Sequence, residues 1–556
     1  MDDETGLRTV YNIPPVADRV QADADLMERF DERAYLDENP DVAEAIARGD
    51  VPSGYAHYLM HGLHEGRLPG IPPREPRQVV VRLGPGVSEK PPAREFKATL
   101  EAALVSRSGG ILLIGWVDDS VDPVDSVRFI GPGWRLTFDG ACLARVRRAD
   151  VEEAVGKQIH HPYGFYGFLF ASGPLAISGP CKVEIQLQSG LCARVDAAPM
   201  LVEDAGLRDV LLTYVSAADH FGNTQVQAIA GLDRSIGLEI IRLNRHLTRA
   251  LIASPYTERF GRMDANYDGS LVICLYGKPE FLFLQAALYG AVAGMDRYEL
   301  IFVSNSPELA ETLLREAKAS SRIYGLDITV VILPGNAGFG AANNVAVKAA
   351  RSDRILIVNP DVFPMAPDWA TRHSDILSSA PREGTRFFGA PLYYDDGSLM
   401  HGGMFFEIDS VLSHEDGRPR LCELARVEHY GKGTPPELPD FVRPRPVPAV
   451  TGAFMSWDRS WFEALDGFSH DYVFGHYEDA DLCLRSLQAG VPPWIQDLKM
   501  WHLEGKGSVK LPRHEGGSLV NRWLFSCTWG ETIAADLLGP APNHPLLRPP
   551  ARRRRS

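Results

Sequence analysis

The chain has 556 residues, of which 45% are hydrophobic and 23% charged, an ordinary composition for a soluble globular protein of about three or four domains. Its formal net charge of −15 at pH 7 argues against general nucleic-acid binding, because a polyanion would be repelled. The seven scattered cysteines form no CxxC pair, which favours reduced thiols over a disulfide framework or a zinc site.

The first half of the chain divides into four segments of different pattern. Residues 1–75 show helical periodicity and predict a small helical module, and residues 76–92 form a Pro-rich linker. Residues 93–202 contain short β-rich runs separated by Gly, Asp and Ser, which is typical of a β-sandwich-like domain. The aromatic residues of that domain are expected in its core, with stacking on sugar rings as the alternative. Residues 203–265 return to helical periodicity and predict a connector.

Strands and helices alternate over residues 266–534, which predicts an α/β domain with a mainly parallel central sheet. The strand runs, such as "LVICL" and "RILIV", are almost continuously apolar, as expected when helices cover both sheet faces. Ligands of such sheets bind beyond the carboxyl ends of the strands. The residues that follow these strands are therefore candidates for ligand contacts, and they include Tyr276, Asn305, Asn336 and Asn359.

The location of the chain is predicted from what its ends and its apolar runs lack. The acidic start has no apolar core of a signal peptide, and no run reaches the roughly 20 apolar residues of a membrane helix, so we expect a cytoplasmic protein. Residues 535–556 form a Pro/Arg-rich tail that ends in "RRRRS". This tail is either a solvated end or a peripheral contact to anionic lipid at the inner face of the membrane.

The stretch "RILIVNPDVF" carries an acidic side chain directly after a buried strand. Pro360 ends the strand and fixes the turn, so Asp361 is predicted at the ligand edge of the sheet. Asp361 is either a turn or capping residue, or a carboxylate that holds Mg²⁺ or Mn²⁺ against a diphosphate, since such hard ions prefer oxygen ligands.

The stretch "PGNAGFGAANN" places glycines around the start of a helix. Gly335, Gly338 and Gly340 precede or open the helix, and Asn343 lies within it. Glycine lets the backbone approach a ligand, and a helix N-terminus favours an anion; the alternative is a flexible turn. The GxGxxG spacing is absent, which argues against a Rossmann dinucleotide site.

The stretch "VFGHYEDADLCLR" concentrates acidic residues at the predicted start of a helix. Asp481 and Arg485 are four residues apart and are expected to pair on the helix surface. Glu478 and Asp479 lie at the N-terminal edge, where the helix dipole favours ionised carboxylates. Asp479 is therefore either a favourable cap or a general base. His502, in "MWHLEGKGS", is either structural or a ligand, and its spacing does not decide between them.

Taken in order, six stretches resemble the inverting family 2 glycosyltransferases of the GT-A fold, most strongly the bacterial rhamnosyltransferase-like members. They are "NAGFGAANN", "IVNPD", "DDGSLMHGG", "TGAFM", "GFSHDYVFGHYEDADLCLR" and "WHLEGKGS", and they span about residues 270–530. The resemblance implies a metal-dependent enzyme, using Mn²⁺ or Mg²⁺, that builds bacterial surface polysaccharide. Its donor would be a UDP- or dTDP-linked sugar, and its acceptor a hydroxyl of a glycan, a lipid-linked molecule or a protein.

The resemblance also implies roles for individual residues. Asp361 matches the last acid of the metal-binding DxD-like motif, with Asn359 in place of the first acid, and His502 matches a histidine that helps hold the metal or diphosphate. Asp479 matches the catalytic base, with Glu478 beside it. The residues expected to bind the nucleotide sugar are Tyr276, Asn305, Asn336, Gly338, Asn343, Asn359, Gly452 and Ala453.

Two positions depart from the family pattern. Gly277 stands where the family usually has Asn, and Ser304 stands where it usually has an Asp that contacts the nucleobase or ribose. These departures keep open a second function, that of a non-catalytic sugar- or protein-binding scaffold on a degenerate GT-A domain. A third function, nucleotidyl transfer, is disfavoured by the stretch "EDADLCLR" after "TGAFM".

Overall fold

A computed structural model describes a large part of the chain in two compact units. The described residues are 35–36, 39–48, 96–155, 161–171, 180–217, 229, 232, 235–262, 266–379, 382–415, 418–436, 438–507, 511–538 and 546. The predicted linker lies outside them, as do most of the predicted helical module and most of the Arg-rich tail. The first unit takes its residues from Met1–Leu100, Val117–Leu143 and Ala176–Ala198, and the second from Glu101–Trp116, Ala144–Leu175 and Pro199–Ser556.

The helices and strands are numbered in chain order. The α-helices are α1 (Pro40–Arg48), α2 (Ala149–Val155), α3 (Asp204–Ala217), α4 (Gly237–Ile252), α5 (Glu280–Gly290), α6 (Ala310–Tyr324), α7 (Phe339–Ala349), α8 (Trp369–Ser379), α9 (Arg382–Arg386), α10 (Pro439–Val442), α11 (Arg459–Ala464), α12 (Glu478–Gln488) and α13 (Pro512–Leu538). The first strands are β1 (Ala98–Ser106), β2 (Gly110–Val117), β3 (Val124–Gly131), β4 (Trp134–Asp139), β5 (Ala144–Val146), β6 (Gly164–Phe170), β7 (Cys181–Leu187), β8 (Cys192–Ala197), β9 (Met200–Val202), β10 (Tyr256–Phe260), β11 (Gly269–Leu275) and β12 (Tyr298–Ser304). The remaining strands are β13 (Asp327–Ile332), β14 (Arg354–Val358), β15 (Val362–Pro364), β16 (Phe387–Gly389), β17 (Leu392–Tyr393), β18 (Leu399–His401), β19 (Met404–Glu415), β20 (Arg418–His429), β21 (Arg445–Pro446), β22 (Phe454–Asp458), β23 (Trp494–Ile495) and β24 (Met500–His502).

Strands β1 to β9 form two sheets. The sheet of the first unit is antiparallel, with the strand order β4-β3-β7-β8. The second unit holds most of a five-stranded sheet of order β5-β6-β2-β1-β9. Phe165 and Tyr166 of β6 and the preceding Tyr163 are buried, as expected for core aromatic residues, whereas Trp116 and Trp134 are half-buried. The sandwich arrangement of residues 93–202 stays a prediction.

The central sheet of the second unit has nine strands in the order β10-β13-β12-β11-β14-β22-β16-β23-β21. Its four inner strands β13, β12, β11 and β14 pair in parallel, while β10 and β22 pair antiparallel to their neighbours β13 and β14. The chain winds outward in opposite directions from β11 and β14, so the strand order reverses between them. A ligand crevice is expected beyond the carboxyl ends of strands at such a reversal.

Helices cover both faces of the central sheet, which explains its continuous apolar strands. Val272 and Cys274 of β11 belong to one buried cluster, together with residues of α7 and α12. Leu271 and Ile273 belong to another cluster, which contains residues of α5 and α6. Successive residues of a strand therefore pack on opposite faces, and each face is apolar. None of the described helices combines the length and apolar character that a membrane-crossing segment needs.

Candidate active site

Strands β14 and β22 bring two distant carboxylate motifs to one edge of the sheet. Their antiparallel pairing places the residue after β14 beside the residue before β22, and the Asn359 N–H donates to the Ala453 carbonyl at 2.9 Å. The preceding Gly452 N–H donates to Asp479 Oδ2 at 2.8 Å. A single backbone segment therefore connects the turn before Asp361 to Asp479.

Asp361 is held in one orientation by the chain that follows β24. It is buried, and its Oδ2 accepts hydrogen bonds from the N–H groups of Lys506 at 3.1 Å and Gly507 at 2.9 Å. A Cβ atom on Gly507 would lie only 2.9 Å from Asp361 atoms, so the close approach requires glycine here. Because β15 and β24 pair antiparallel with Val362 opposite His502, the His502 ring lies beside Asp361.

The second oxygen of Asp361 faces an imidazole at a distance that fits a shared cation. Asp361 Oδ1 lies 3.5 Å from His502 Nε2, and His502 Nδ1 is buried without a hydrogen-bond partner. Carboxylate oxygens suit Mn²⁺ and Mg²⁺, and Mg²⁺ is commonly held by one or two carboxylates plus substrate phosphates and water. Among the described residues no group of three or more His, Cys, Asp or Glu forms a complete metal site. Asp361 and His502 are thus candidate ligands among the described residues, and a bound diphosphate would have to supply others.

A buried amide fixes the turn that carries Asp361. Gln285 of α5 is fully buried, and its Nε2 donates to the carbonyls of Asn359 at 3.2 Å, Pro360 at 2.8 Å and Val362 at 2.8 Å. Since these carbonyls lie on both sides of Asp361, the amide holds the turn from within. The NPD turn is thus set by the helix after β11 as well as by its own proline.

Asp479 lies at the N-terminal end of α12 with its carboxylate held by backbone donors. In addition to the Gly452 hydrogen bond, its Oδ1 accepts from the Ala480 N–H at 2.8 Å. The side chain is half-buried. Backbone N–H groups and a helix N-terminus both favour negative charge, so the geometry suits an ionised carboxylate that can receive a proton.

Glu478 differs from the expectation that both adjacent acids are ionised. It is buried, and its Oε2 has no hydrogen-bond partner. Burial and then the charge of Asp479 raise the pKa of the Glu478 carboxyl well above its usual value of 4.5. The two neighbours thus divide into a neutral acid inside and a carboxylate at the edge, and a catalytic role for Glu478 stays a prediction.

The raised pKa of Glu478 predicts the pH dependence of a variant. Native Glu478 keeps its proton above pH 4.5 while the unfolded chain loses it, so this group lowers stability as pH rises through that range. The stability of Glu478→Gln relative to wild type is therefore expected to grow by about 1.4 kcal/mol per pH unit until the folded carboxyl itself ionises. Urea unfolding of both proteins between about pH 5 and pH 8 measures this. Parallel stability curves would show that Glu478 is not held neutral.

Asp481 and Arg485 form the predicted pair, but inside the protein. The Arg485 Nε–Asp481 Oδ2 distance is 2.9 Å, and Asp481 is buried instead of lying on the helix surface. Its Oδ1 accepts from Trp529 Nε1 at 2.9 Å. Asp481 therefore has a structural explanation that leaves no free oxygen for the site.

The segment before α12 adopts an uncommon backbone conformation. Phe474, His476 and Tyr477 have φ values of 58°, 80° and 72°, in the left-handed region that non-glycine residues rarely adopt. Each such residue costs on the order of 1–3 kcal/mol and persists only where its surroundings enforce it. The strain lies immediately before Glu478 and Asp479, where it sets the position of the helix start.

The loop after β13 meets this segment through Gly338. The Phe339 N–H donates to the Phe474 carbonyl, and Gly338 has a φ of +89°. A Cβ atom on Gly338 would lie 3.0 Å from the Phe474 carbonyl oxygen, so only glycine permits this contact.

Asn305 and Asn336 use their amides within the same loop. Asn305 is buried; its Nδ2 donates to the Gly338 carbonyl at 3.2 Å, and its Oδ1 accepts from the Ala337 N–H at 3.1 Å. Asn336 Oδ1 accepts from the Gly338 N–H at 3.0 Å. Both side chains thus shape the loop, and their contact with a nucleotide sugar stays a prediction.

Asn343 and Tyr276 complete the predicted binding residues. Asn343 is fully buried in α7, where its Nδ2 donates to the Phe339 carbonyl at 2.9 Å and its Oδ1 has no partner. Tyr276, after β11, is half-buried, and its hydroxyl accepts from Arg513 Nη2 at 3.1 Å. The His514 ring meets the Tyr276 ring edge-on at 5.4 Å.

The two departures from the family pattern lie at or just beyond the ends of neighbouring strands, and both contact Ser306. Gly277 has a φ of +68°, and its N–H donates to Ser306 Oγ at 2.9 Å. Ser304 Oγ accepts from the Ser306 N–H at 3.1 Å and donates to its carbonyl at 3.2 Å. The hydroxyl at the usual acid position is therefore engaged in a local turn.

Basic side chains from outside the predicted α/β motifs also reach this edge. Arg208 of α3 is buried, with its guanidinium 4.3 Å from the centre of the Phe474 ring and Nη1 donating to the Asn336 carbonyl at 3.4 Å. Arg513 of α13 forms an ion pair with Asp209 at 3.3 Å. Sequence reasoning missed both, because helical periodicity alone gave no sign that α3 lies against the site.

A histidine pair was also missed. His401 of β18 is fully buried, and its Nδ1 lies 3.1 Å from Nδ1 of His429. Burial lowers the pKa of His429 to about 4 and the pKa of His401 well below its usual 6.5. Both rings are therefore neutral at pH 7, with one Nδ1 donating to the other. His401 lies in the stretch "DDGSLMHGG", but nothing local in the sequence connects it with His429 across the β19–β20 hairpin.

Comparison with known proteins gives one family match. Residues 270–379 match the family described as Glycosyl transferase family 2. The similarity to this family is therefore limited to the segment from β11 to the end of α8. The match contains Asp361, whereas Asp479 and His502 lie beyond it.

Two curated relatives cover less than half of the chain. An uncharacterized protein, y4gI, of Sinorhizobium fredii (strain NBRC 101917 / NGR234) is 30% identical over 248 residues, which is 41% of this chain and 24% of that protein. The O-antigen biosynthesis protein RfbC of Myxococcus xanthus is 25% identical over 266 residues, which is 46% of this chain and 19% of that protein. The chain thus matches only about a quarter or less of the length of these relatives.

Solved structures that are similar to the chain include two complexes with nucleotide ligands. S. aureus TarS with UDP has a TM-score of 0.28 and 12% identity, covering 45% of this chain and 64% of that one. The mannosyltransferase PcManGT from Pyrobaculum calidifontis, with GDP-Man and Mn²⁺, has a TM-score of 0.30 and 12% identity, covering 59% of this chain and 86% of that one.

Proposed function

We propose that the chain is a metal-dependent inverting glycosyltransferase. It would move a sugar from a nucleoside-diphosphate donor, UDP- or dTDP-linked, to a hydroxyl of a glycan, lipid-linked or protein acceptor. The observation that carries the proposal is the placement of two carboxylates at the ligand edge of the central sheet. Asp361 and Asp479 are far apart in sequence, yet two hydrogen bonds connect them. The Asn359 N–H donates to the Ala453 carbonyl, and the Gly452 N–H donates to the Asp479 carboxylate.

The proposed reaction is a single displacement. Asp479 takes the proton of the acceptor hydroxyl as the acceptor oxygen bonds to the anomeric carbon. The bond from that carbon to the β-phosphate oxygen breaks, and the nucleoside diphosphate leaves with the electron pair. When bound at Asp361 and His502, a divalent cation supplies positive charge against the charge that develops on the diphosphate. Attack from the opposite face inverts the anomeric configuration without a covalent sugar–enzyme intermediate.

The proposed setting is bacterial surface polysaccharide synthesis, in the cytoplasm at the inner face of the membrane. It is supported by the similarity to a protein whose name assigns it to O-antigen biosynthesis. The Arg-rich tail would then contact anionic lipid near a lipid-linked acceptor, each basic residue contributing about 1 kcal/mol. Those arginines lie outside the described residues.

The direct test is turnover of nucleotide sugars by the whole chain. The protein is incubated with Mn²⁺ and a panel of UDP- and dTDP-sugars, with and without acceptor extracts, and release of nucleoside diphosphate is measured. We expect release with at least one donor, increased by acceptor and abolished by EDTA. If no donor is bound or turned over under any of these conditions, the scaffold function replaces the enzyme function.

A further inference from the structure

One buried amide of the C-terminal helix α13 takes part in four backbone hydrogen bonds in the strained segment before α12. Asn521 is fully buried. Its Oδ1 accepts from the Val473 N–H at 2.7 Å. Its Nδ2 donates to the carbonyls of Val473 at 2.9 Å, Gly475 at 2.7 Å and His476 at 3.1 Å. The oxygen and the nitrogen of this one amide thus both form hydrogen bonds with the backbone of residues 473–476.

This segment determines where α12 begins. The Tyr477 carbonyl accepts the hydrogen bond from the Asp481 N–H at 2.9 Å, which is the first turn of the helix. Tyr477 itself is left-handed and has no side-chain cap, so the helix start is not fixed by local capping. Asp479 lies in that first turn, and its position therefore follows the conformation of the segment that Asn521 holds.

The surroundings of Asn521 argue against a simple packing role. Its neighbours in sequence, Val520 and Trp523, are buried apolar residues that contribute to the adjacent core cluster. A buried amide is unfavourable unless its polar groups are satisfied, so an apolar side chain would serve packing better. The amide instead satisfies backbone groups that the left-handed conformation leaves outside any helix or sheet.

We propose that Asn521 is a positioning residue of the transferase site. Its amide holds the segment 473–477, in which Phe474, His476 and Tyr477 are left-handed, and this segment places Asp479 at the ligand edge of the sheet. The inference rests on the proposed function, but it assigns a role to α13, which lies outside the matched family segment. The long C-terminal helix thereby becomes a part of the catalytic architecture.

The first test measures the conformation and needs no activity. Amide hydrogen exchange is compared for wild type, Asn521→Ala, Asn521→Asp and the control Ser526→Ala. Ser526 is on the same helix and accepts from the Ala425 N–H at 3.0 Å, so its loss weakens α13 without touching the segment. We expect faster exchange at residues 473–481 in both Asn521 variants and not in the control. Unchanged exchange there would overturn the proposal.

The second test separates positioning from general destabilisation. For Asn521→Ala we expect donor affinity to stay at its wild-type value while kcat falls by about 100-fold, the cost of misplacing a catalytic group by about 1 Å. Ser526→Ala is expected to keep its kcat. Equal loss of donor affinity and kcat, or a kcat at the wild-type level, would contradict a positioning role. If Asn521→Ala does not fold, Asn521→Ser takes its place with the same expectations. A wild-type chain without any turnover would refute the proposed function, and the exchange experiment would still decide what Asn521 holds.

Discussion

Replacing Asp479 by asparagine is expected to lower kcat by about 10²–10⁴-fold, the usual contribution of a general base. The amide keeps the size of the side chain and one oxygen that can accept the Gly452 N–H hydrogen bond, now 2.8 Å long. It loses the negative charge and the ability to take a proton. Donor binding should therefore remain while transfer to the acceptor stops. Measuring donor affinity by titration calorimetry and kcat by nucleoside diphosphate release separates the two.

The matched control for this experiment is Asp481→Asn. Asp481 is two residues further along α12 and is likewise acidic, but both of its oxygens are taken up by Arg485 and Trp529. Weakening this buried pair should lower the melting temperature, whereas the kcat of the folded protein should not change. If Asp479→Asn keeps full kcat, or if Asp481→Asn loses as much, Asp479 is not the base.

The central sheet could be predicted from sequence because helices cover its inner strands on both faces. Such strands are continuously apolar, so the sequence predicts β11 to β14, and it predicts the helices that follow β11, β12 and β13. Once the strands are known, the residues that directly follow them are predicted to contact ligands, because ligands of such sheets bind beyond the carboxyl ends of the strands. Periodicity does not reveal which distant strands pair. β22 lies many residues after β14 in the chain, yet the two strands pair in the sheet. β10 lies within the predicted helical connector but pairs with β13, and periodicity likewise does not reveal this pairing.

The candidate site residues were predictable where they lie in a local motif, and not where distant parts of the chain come together. Asp361 and Asp479 each lie in a short recognisable stretch, so both were predicted. The backbone near Asp361 and Asp479 is held by the side-chain amides of Gln285 and Asn521. These two residues lie in helices whose local sequence gives no reason to single out an amide. The same holds for His429 and for Arg208, whose partners come from other parts of the chain.

For Glu478, the relative size of the helix-dipole and desolvation effects decides whether the side chain is ionised. The helix dipole, worth about 0.3–1 kcal/mol at an exposed N-terminus, predicted an ionised side chain. Desolvation of an unpaired charge costs several kcal/mol, and Glu478 is buried with an unpartnered oxygen. Burial therefore prevails, and it is burial that the sequence alone did not reveal. Asp479 is only half-buried at the edge, so the same desolvation argument does not apply to it.

Replacing Asp361 by asparagine is expected to lower kcat/KM by about 10²–10³-fold and to remove stimulation by Mn²⁺. The amide oxygen can still accept from the Lys506 and Gly507 N–H groups, and the amide nitrogen can donate toward His502 Nε2, now 3.5 Å from the carboxylate. The fold should therefore survive. The loss arises because a neutral ligand binds a hard cation weakly, and charge stabilisation worth about 3–4 kcal/mol corresponds to that factor in rate.

The decisive measurement for Asp361 is metal binding, because it does not depend on turnover. Mn²⁺ is titrated into the protein with UDP present and followed by electron paramagnetic resonance, for wild type, Asp361→Asn and the control Asp368→Asn. Asp368→Asn is the same chemical change at an exposed carboxylate, which pairs with Arg372. We expect binding in wild type and the control and its loss in Asp361→Asn. Equal Mn²⁺ affinity in all three proteins would place the cation elsewhere and would leave Asp361 as a turn residue, held by backbone donors for the sake of the fold.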